Sequence, residues 1–141
     1  MQRTQQLGRY QVMNRIAFGG MAEIFRAFTY DDEGFRRDVA IKKVLPHYLE
    51  DPQFLDMLTD EFKLVSFLRH PNIAEVFELA DVEGSLLIAM EYVDGKDLRS
   101  TIDRLHDQQA ILDFDNAVYI IARSLDGLHH AHTARDLTAS P

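Results

Sequence analysis

Apolar positions along this chain alternate at two periods, and each switch of period marks an element. Tyr10 to Ala17 and Ala22 to Tyr30 are strand-like runs separated by a glycine pair. A polar turn at Asp31 to Arg37 leads to a third run, Val39 to Leu45, rich in β-branched residues. Asp51-Pro52 then predicts a helix start, with Asp as N-cap and Pro at the first helical position. That helix is expected to reach about Arg69, where His70-Pro71 ends it. Its apolar stripe is Phe54, Leu58, Val65 and Leu68, with Glu61 in the middle, at spacings of four, three, four and three. Two further strands are predicted, Ile73 to Ala80 and Ser85 to Tyr92, joined at Glu83-Gly84. The second is apolar nearly throughout, as expected of a strand buried on both faces. Leu98, Ile102 and Leu105 mark a short helix, and Phe114, Val118, Ile121, Leu125 and Leu128 a longer one.

Two charges interrupt these apolar patterns. In the third run, Lys42 and Lys43 are adjacent, so one of them must point to the inner face. Glu61 interrupts the helical stripe in the same way. A charge on an apolar face is costly without a partner, and an inward Lys42 and an inward Glu61 would supply one another. The plainer reading is a helix with one tolerated off-pattern glutamate.

Composition narrows the class. At 141 residues the chain has room for a single core, and 46% hydrophobic with 27% charged residues argues against disorder. No apolar run approaches the roughly 18 to 20 residues needed to span a bilayer. The polar start, Met1 to Arg9, reads as a frayed tail without a signal-peptide core. The absence of cysteine excludes disulfides and fits a cytoplasmic location. A net charge of −8 argues against nucleic acid as a partner.

The stretch Ile16-Ala17-Phe18-Gly19-Gly20-Met21-Ala22-Glu23-Ile24 sits between the first two strands. It resembles the glycine-rich loop of protein kinases, G-x-G-x-x-G-x-V, whose backbone amides cover the ATP phosphates. Ala17 and Ala22 stand where the first and third glycines would be, and only Gly19 matches, with Gly20 extra. Alanine at positive φ would cost on the order of 1 kcal/mol, so a stiffer loop is expected. Alone, two glycines in a hairpin are an ordinary turn. The order of loop, then Val39-Ala40-Ile41-Lys42, then a helical Glu61, then His70-Pro71-Asn72-Ile73 is what resembles the family.

Met90-Glu91-Tyr92-Val93-Asp94-Gly95 looks like the kinase hinge. The resemblance, running from about Tyr10 to about His132, is to the bacterial branch of eukaryotic-like serine/threonine protein kinases. It implies an α+β fold: a small lobe with a five-stranded antiparallel sheet and one regulatory helix over residues 10–93, then two large-lobe helices over 94–133. It implies ATP as cofactor, held by Ile16, Ala17, Phe18, Gly19, Gly20, Met21, Ala22 and Ile24 of the loop. Ala40 would be a further cofactor-binding residue, Lys42 would hold the α- and β-phosphates, and Glu61 would hold Lys42. Met90 would be the gatekeeper, Glu91 and Val93 the backbone partners of adenine, and Asp97 a ribose acceptor.

No H-R-D-x-x-x-x-N loop and no D-F-G occur in the sequence. Ala134-Arg135-Asp136-Leu137 is a tempting substitute, but Arg135 follows His132 too closely, and position 141, where the Asn would fall, is Pro. Residues 134–141 resemble the short polar insertion that some bacterial kinases carry before the catalytic loop. The chain is therefore expected to stop upstream of its catalytic base and its Mg²⁺ ligands. In the intact enzyme the γ-phosphate would pass to a protein Ser or Thr hydroxyl. The alternatives are a catalytically dead kinase-like interaction module and, against the hinge wording, a small-molecule phosphotransferase. His129, His130 and His132 suggest metal, but imidazoles near a helix C-terminus are favoured by the dipole, and no ligand set is evident. The last helix carries more apolar residues than one face can hide, Tyr119 and Ile120 included, which points to self-association.

Overall fold

Strand pairing follows the period-two runs. The computed structural model describes residues 5–134. They divide into two units: residues up to Arg69 with Ala74–Tyr92, and His70–Ile73 with residues from Val93 onward.

In the first unit six strands form one antiparallel sheet: β1 (Gln6–Leu7), β2 (Tyr10–Gly19), β3 (Ala22–Tyr30), β4 (Arg36–Val44), β5 (Val76–Val82) and β6 (Ser85–Glu91). Their order is β1-β2-β3-β4-β6-β5. Helix α1 (Pro52–Ser66) lies between β4 and β5 in the chain. Asp51 caps it, its Oδ1 accepting the Gln53 amide at 3.0 Å.

Alternation along β4 sorts its residues onto two cores. Val39 and Ile41 join Leu7, Tyr10, Val12, Ala27, Leu87 and Ala89 in one cluster. Val44, two residues on from Lys42, joins Phe54 and Leu58 of α1 and Ile88 of β6 in the other. Fully burying a side chain such as Ile41 or Leu87 contributes roughly 1.5–3 kcal/mol. The sheet also curls. The Tyr10 hydroxyl of β2 donates to Glu78 of β5, and Arg9 forms an ion pair with the same carboxylate. In a flat sheet β2 and β5 would lie roughly 19 Å apart at the usual strand spacing. Burial, then the Glu78 hydrogen bond, pushes the Tyr10 phenol up from its ordinary value. Closure is tight at Gly8 (φ +57°), where a Cβ would sit 3.2 Å from Val82 Cγ2.

The second unit holds α2 (Leu98–Asp107) and α3 (Phe114–Thr133), N-capped by Asp97 and Asp113. The loop His70–Ile73 is seated on α3. Asn72 Nδ2 donates to the Arg123 carbonyl at 3.0 Å. Gly127 is the buried residue of α3, and a Cβ there would sit 3.3 Å from the Asn72 carbonyl oxygen and from Ile73 Cγ1. Phe114, Val118, Ile121, Leu125 and Leu128 are all exposed. No helix among the described residues is long and apolar enough to cross a membrane.

Four expectations change. The sheet has six strands rather than five, because Gln6–Leu7 of the supposed tail pairs with Gln11 and Tyr10, and Leu7 is buried in the core. Helix α1 stops at Ser66 rather than Arg69, with Phe67 as C-cap. Strand β5 begins at Val76 rather than Ile73, because Ile73 closes a turn on the His70 carbonyl at 3.1 Å. That loop, placed with the small lobe by chain order, clusters with the second unit instead.

Candidate functional site

The glycine pair forms the tip of the β2–β3 hairpin. Gly19 pairs with Ala22, and Gly19 (φ +150°) and Gly20 (φ +59°) take backbone angles that side chains disfavour. A Cβ on either would meet nothing within 4 Å, so conformation and not space selects glycine here. Ala17 and Ala22 lie within the strands, and the described non-glycine residues at positive φ are Glu83 and Gln109. The strain expected of alanine in this loop does not arise. The pairing of β2 with β3 shifts register between Val12 and Asn14 and again between Arg15 and Ala17. Ile16 and Phe18 are exposed, and the Arg15 guanidinium lies 5.4 Å from the Phe18 ring centre. The Met21 carbonyl accepts the Leu45 amide at 2.8 Å, and its side chain packs on the α1 cluster.

Behind the hairpin, β4 sets Lys42 opposite Ile24 of β3 and Ile88 of β6, and Ala40 opposite Met90. Lys42 alternates with Val44 toward α1, while Lys43 points to the other face beside Leu87. A cavity of about 90 Å³ opens there, lined by Lys42, Leu58, Glu61, Phe62, Val65, Val76, Ile88 and Met90. Two charged groups of opposite sign, from two elements, thus share one mostly apolar cavity. Lys42 is half-buried, but Glu61 is exposed, contrary to the buried position its stripe predicts. Among the described residues no ion pair within 4.0 Å joins them. Leu58, on the same stripe and lining the same cavity, is 3% exposed, so the departure is at Glu61 itself. Phe62 and Val76 were not singled out in the sequence; an apolar residue beside Glu61 and an apolar strand start were the available signals.

At the end of β6, Glu91 is tied to Glu75. Its amide donates to the Glu75 carbonyl at 2.8 Å, and its Oε2 accepts the Glu75 amide at 3.0 Å. Val93 and Asp97 belong to the second unit, and Val93 is exposed. Asp97 has a structural task there, its Oδ1 accepting the Ser100 amide at 2.6 Å. That bond holds its carboxyl below the usual range. No group of three or more His, Cys, Asp or Glu among the described residues is placed to hold a metal ion. Arg135 and Asp136, and the proposed insertion beyond Ala134, lie outside the described residues.

The curled sheet with one helix, the glycine hairpin and the strand lysine facing a helical glutamate define a kinase-type small lobe. The chain belongs to the protein kinase family: the family profile described as "Protein kinase domain" matches residues 10–137. It is 36% identical over 137 residues to the tyrosine-protein kinase MasK of Myxococcus xanthus, covering 97% of this chain and 21% of that protein. It is 34% identical over 128 residues to the serine/threonine-protein kinase PrkC of Bacillus subtilis, covering 89% of this chain and 18% of that protein. The solved PknI kinase domain of Mycobacterium tuberculosis superposes with a TM-score of 0.74 at 26% identity, over 92% of this chain and 50% of that one. The chain therefore spans about a fifth of these curated relatives and half of that solved kinase domain, and it corresponds to the N-terminal part of the kinase domain.

Proposed function

We propose that this chain is the ATP-binding portion of a serine/threonine protein kinase. The observation that carries this reading is the shared cavity of Lys42, Glu61 and Met90, on the face of β4 that looks toward α1. Lys42 supplies the positive charge for the α- and β-phosphates, and Glu61 orients it once the two close to an ion pair. Gly19 and Gly20, where a side chain would meet no atom within 4 Å, leave room for phosphate oxygens against the hairpin backbone. Ile16, Phe18 and Ile24 supply apolar cover. Parts for Val93 and Asp97 rest on the family resemblance. The part of Mg²⁺ in the whole enzyme rests on the family resemblance.

A serine or threonine hydroxyl of a protein is the acceptor in the whole enzyme. This chain alone transfers no phosphoryl group, because it holds neither the H-R-D loop nor the D-F-G aspartate. The exposed apolar stripe of α3 drives self-association.

Titration with a fluorescent ATP analogue tests the site. The expected Kd is about 0.1 mM or weaker, since the charge-assisted interaction that a D-F-G aspartate supplies is worth roughly 1.5–3 kcal/mol. Lys42→Met should weaken binding a further ten- to hundredfold, by roughly the same energy. Micromolar binding that Lys42→Met leaves unchanged would put the nucleotide elsewhere.

A further inference from the structure

The loop His70–Ile73 is seated on α3 through groups that respond to protons. His70 Nδ1 accepts the Asn72 backbone amide at 3.1 Å. A ring nitrogen accepts only through a free lone pair, so the bond exists only while Nδ1 carries no proton. The same imidazole stacks on His130 of α3, with ring centres 5.0 Å apart and planes 35° apart. Asn72, oriented by the first bond, gives its side-chain amide to the Arg123 carbonyl, and its own carbonyl lies against Gly127. A polar cavity of about 340 Å³ runs along this seam between loop and helix, so both rings are open to proton exchange with water.

We propose that the His70–His130 pair is a proton-operated latch. With both rings neutral it holds the loop on α3, and protonation of the rings releases the loop. Protonation at Nδ1 turns an acceptor into a donor that faces the Asn72 N–H, and two imidazolium rings at this separation repel. The surrounding charges do not cancel that repulsion. From α3, Arg123 and Asp126 face the seam but pair with each other at 2.8 Å, and His129 is a third imidazole. The loop brings no further titratable group, and Arg69 and Glu75, which flank it in the chain, pair with each other at 3.1 Å. The latch is independent of the nucleotide reading, since none of its residues lines the Lys42 cavity.

Hydrogen exchange of the full chain at pH 8 and pH 5.5, expressed as protection relative to the intrinsic rate at each pH, tests the latch. Amides of the loop should lose protection roughly two- to tenfold on acidification, the equivalent of one net hydrogen bond. His70→Asn sets a side-chain oxygen near the Nδ1 position, keeping an acceptor that does not titrate, and its loop should stay protected at both values. An equal loss in His70→Asn, or no loss in the native chain, overturns the proposal. Should His70→Asn not fold, His130→Gln leaves the His70 bond in place and removes the facing charge. Its loss should then be smaller than the native one, and an undiminished loss overturns the latch.

Discussion

Truncation of Leu58 measures how firmly α1 is held on the sheet beside Lys42. Leu58 is 3% exposed, belongs to the cluster with Val44, Phe54 and Ile88, and lines the Lys42 cavity. Leu58→Ala removes three carbons, worth about 2.4 kcal/mol in transfer free energy at roughly 0.8 kcal/mol each. The void adds about 24 cal/mol per Å³, so a partly collapsed space of about 40 Å³ adds about 1 kcal/mol. The expected cost is therefore about 3 kcal/mol, within the usual range for buried leucine. With a urea m-value of roughly 1–3 kcal/mol/M, the unfolding midpoint should fall by about 1–3 M. Leu64, 62% exposed on the same helix, is the control, and its change to alanine should stay within about 0.5 kcal/mol. Leu58→Met, which keeps most of the volume, should cost less than about 1.5 kcal/mol. Equal midpoints for the alanine variants at 58 and 64 would refute the packing of α1 on this face of the sheet.

Gly20→Ala should cost about 1–2 kcal/mol in a thermal melt through conformation alone, because φ there is +59° and no atom obstructs a Cβ. Asp38 accepts from Arg26 at 2.7 Å and from Arg36 at 2.9 Å, and those guanidinium groups hold its carboxyl below the ordinary range. Its ionised form is thus favoured by folding. That stability is complete above the unfolded value near pH 4 and is lost as pH falls through the lowered folded value. Asp38→Asn should therefore lose more stability at pH 6 than at pH 2.5, and urea midpoints that differ from native equally at both values would contradict the pairing. Light scattering should show assemblies larger than a monomer, and Leu125→Glu, on the exposed α3 stripe, should shift them toward monomer. A native chain that is already monomeric would remove the case for self-association.

Near-neighbour patterns on the chain sufficed wherever the cause was local. The Asp51-Pro52 start of α1 was legible because a cap needs only the side chain and the next amides. That one of Lys42 and Lys43 faces inward follows from strand alternation, while the choice of Lys42 came from the order of glycine pair, strand lysine and helical glutamate that pointed to the family. What depends on the meeting of distant residues was not legible. Strand β1 and the burial of Leu7 rest on closure of the curled sheet, in which Tyr10 meets Glu78 across 68 positions. The seating of His70–Ile73 on α3 needs Gly127, more than fifty residues on, to leave room for a backbone carbonyl. Asp97 has the residue type of a ribose acceptor, yet it is the helix that follows which uses one of its oxygens. Glu61 shows the limit most directly. Periodicity placed it on the inner face, but whether a carboxylate there is buried and paired depends on the distance between helix and sheet. In this structure an open cavity fills that distance, and Lys42 and Glu61 share it without closing on one another.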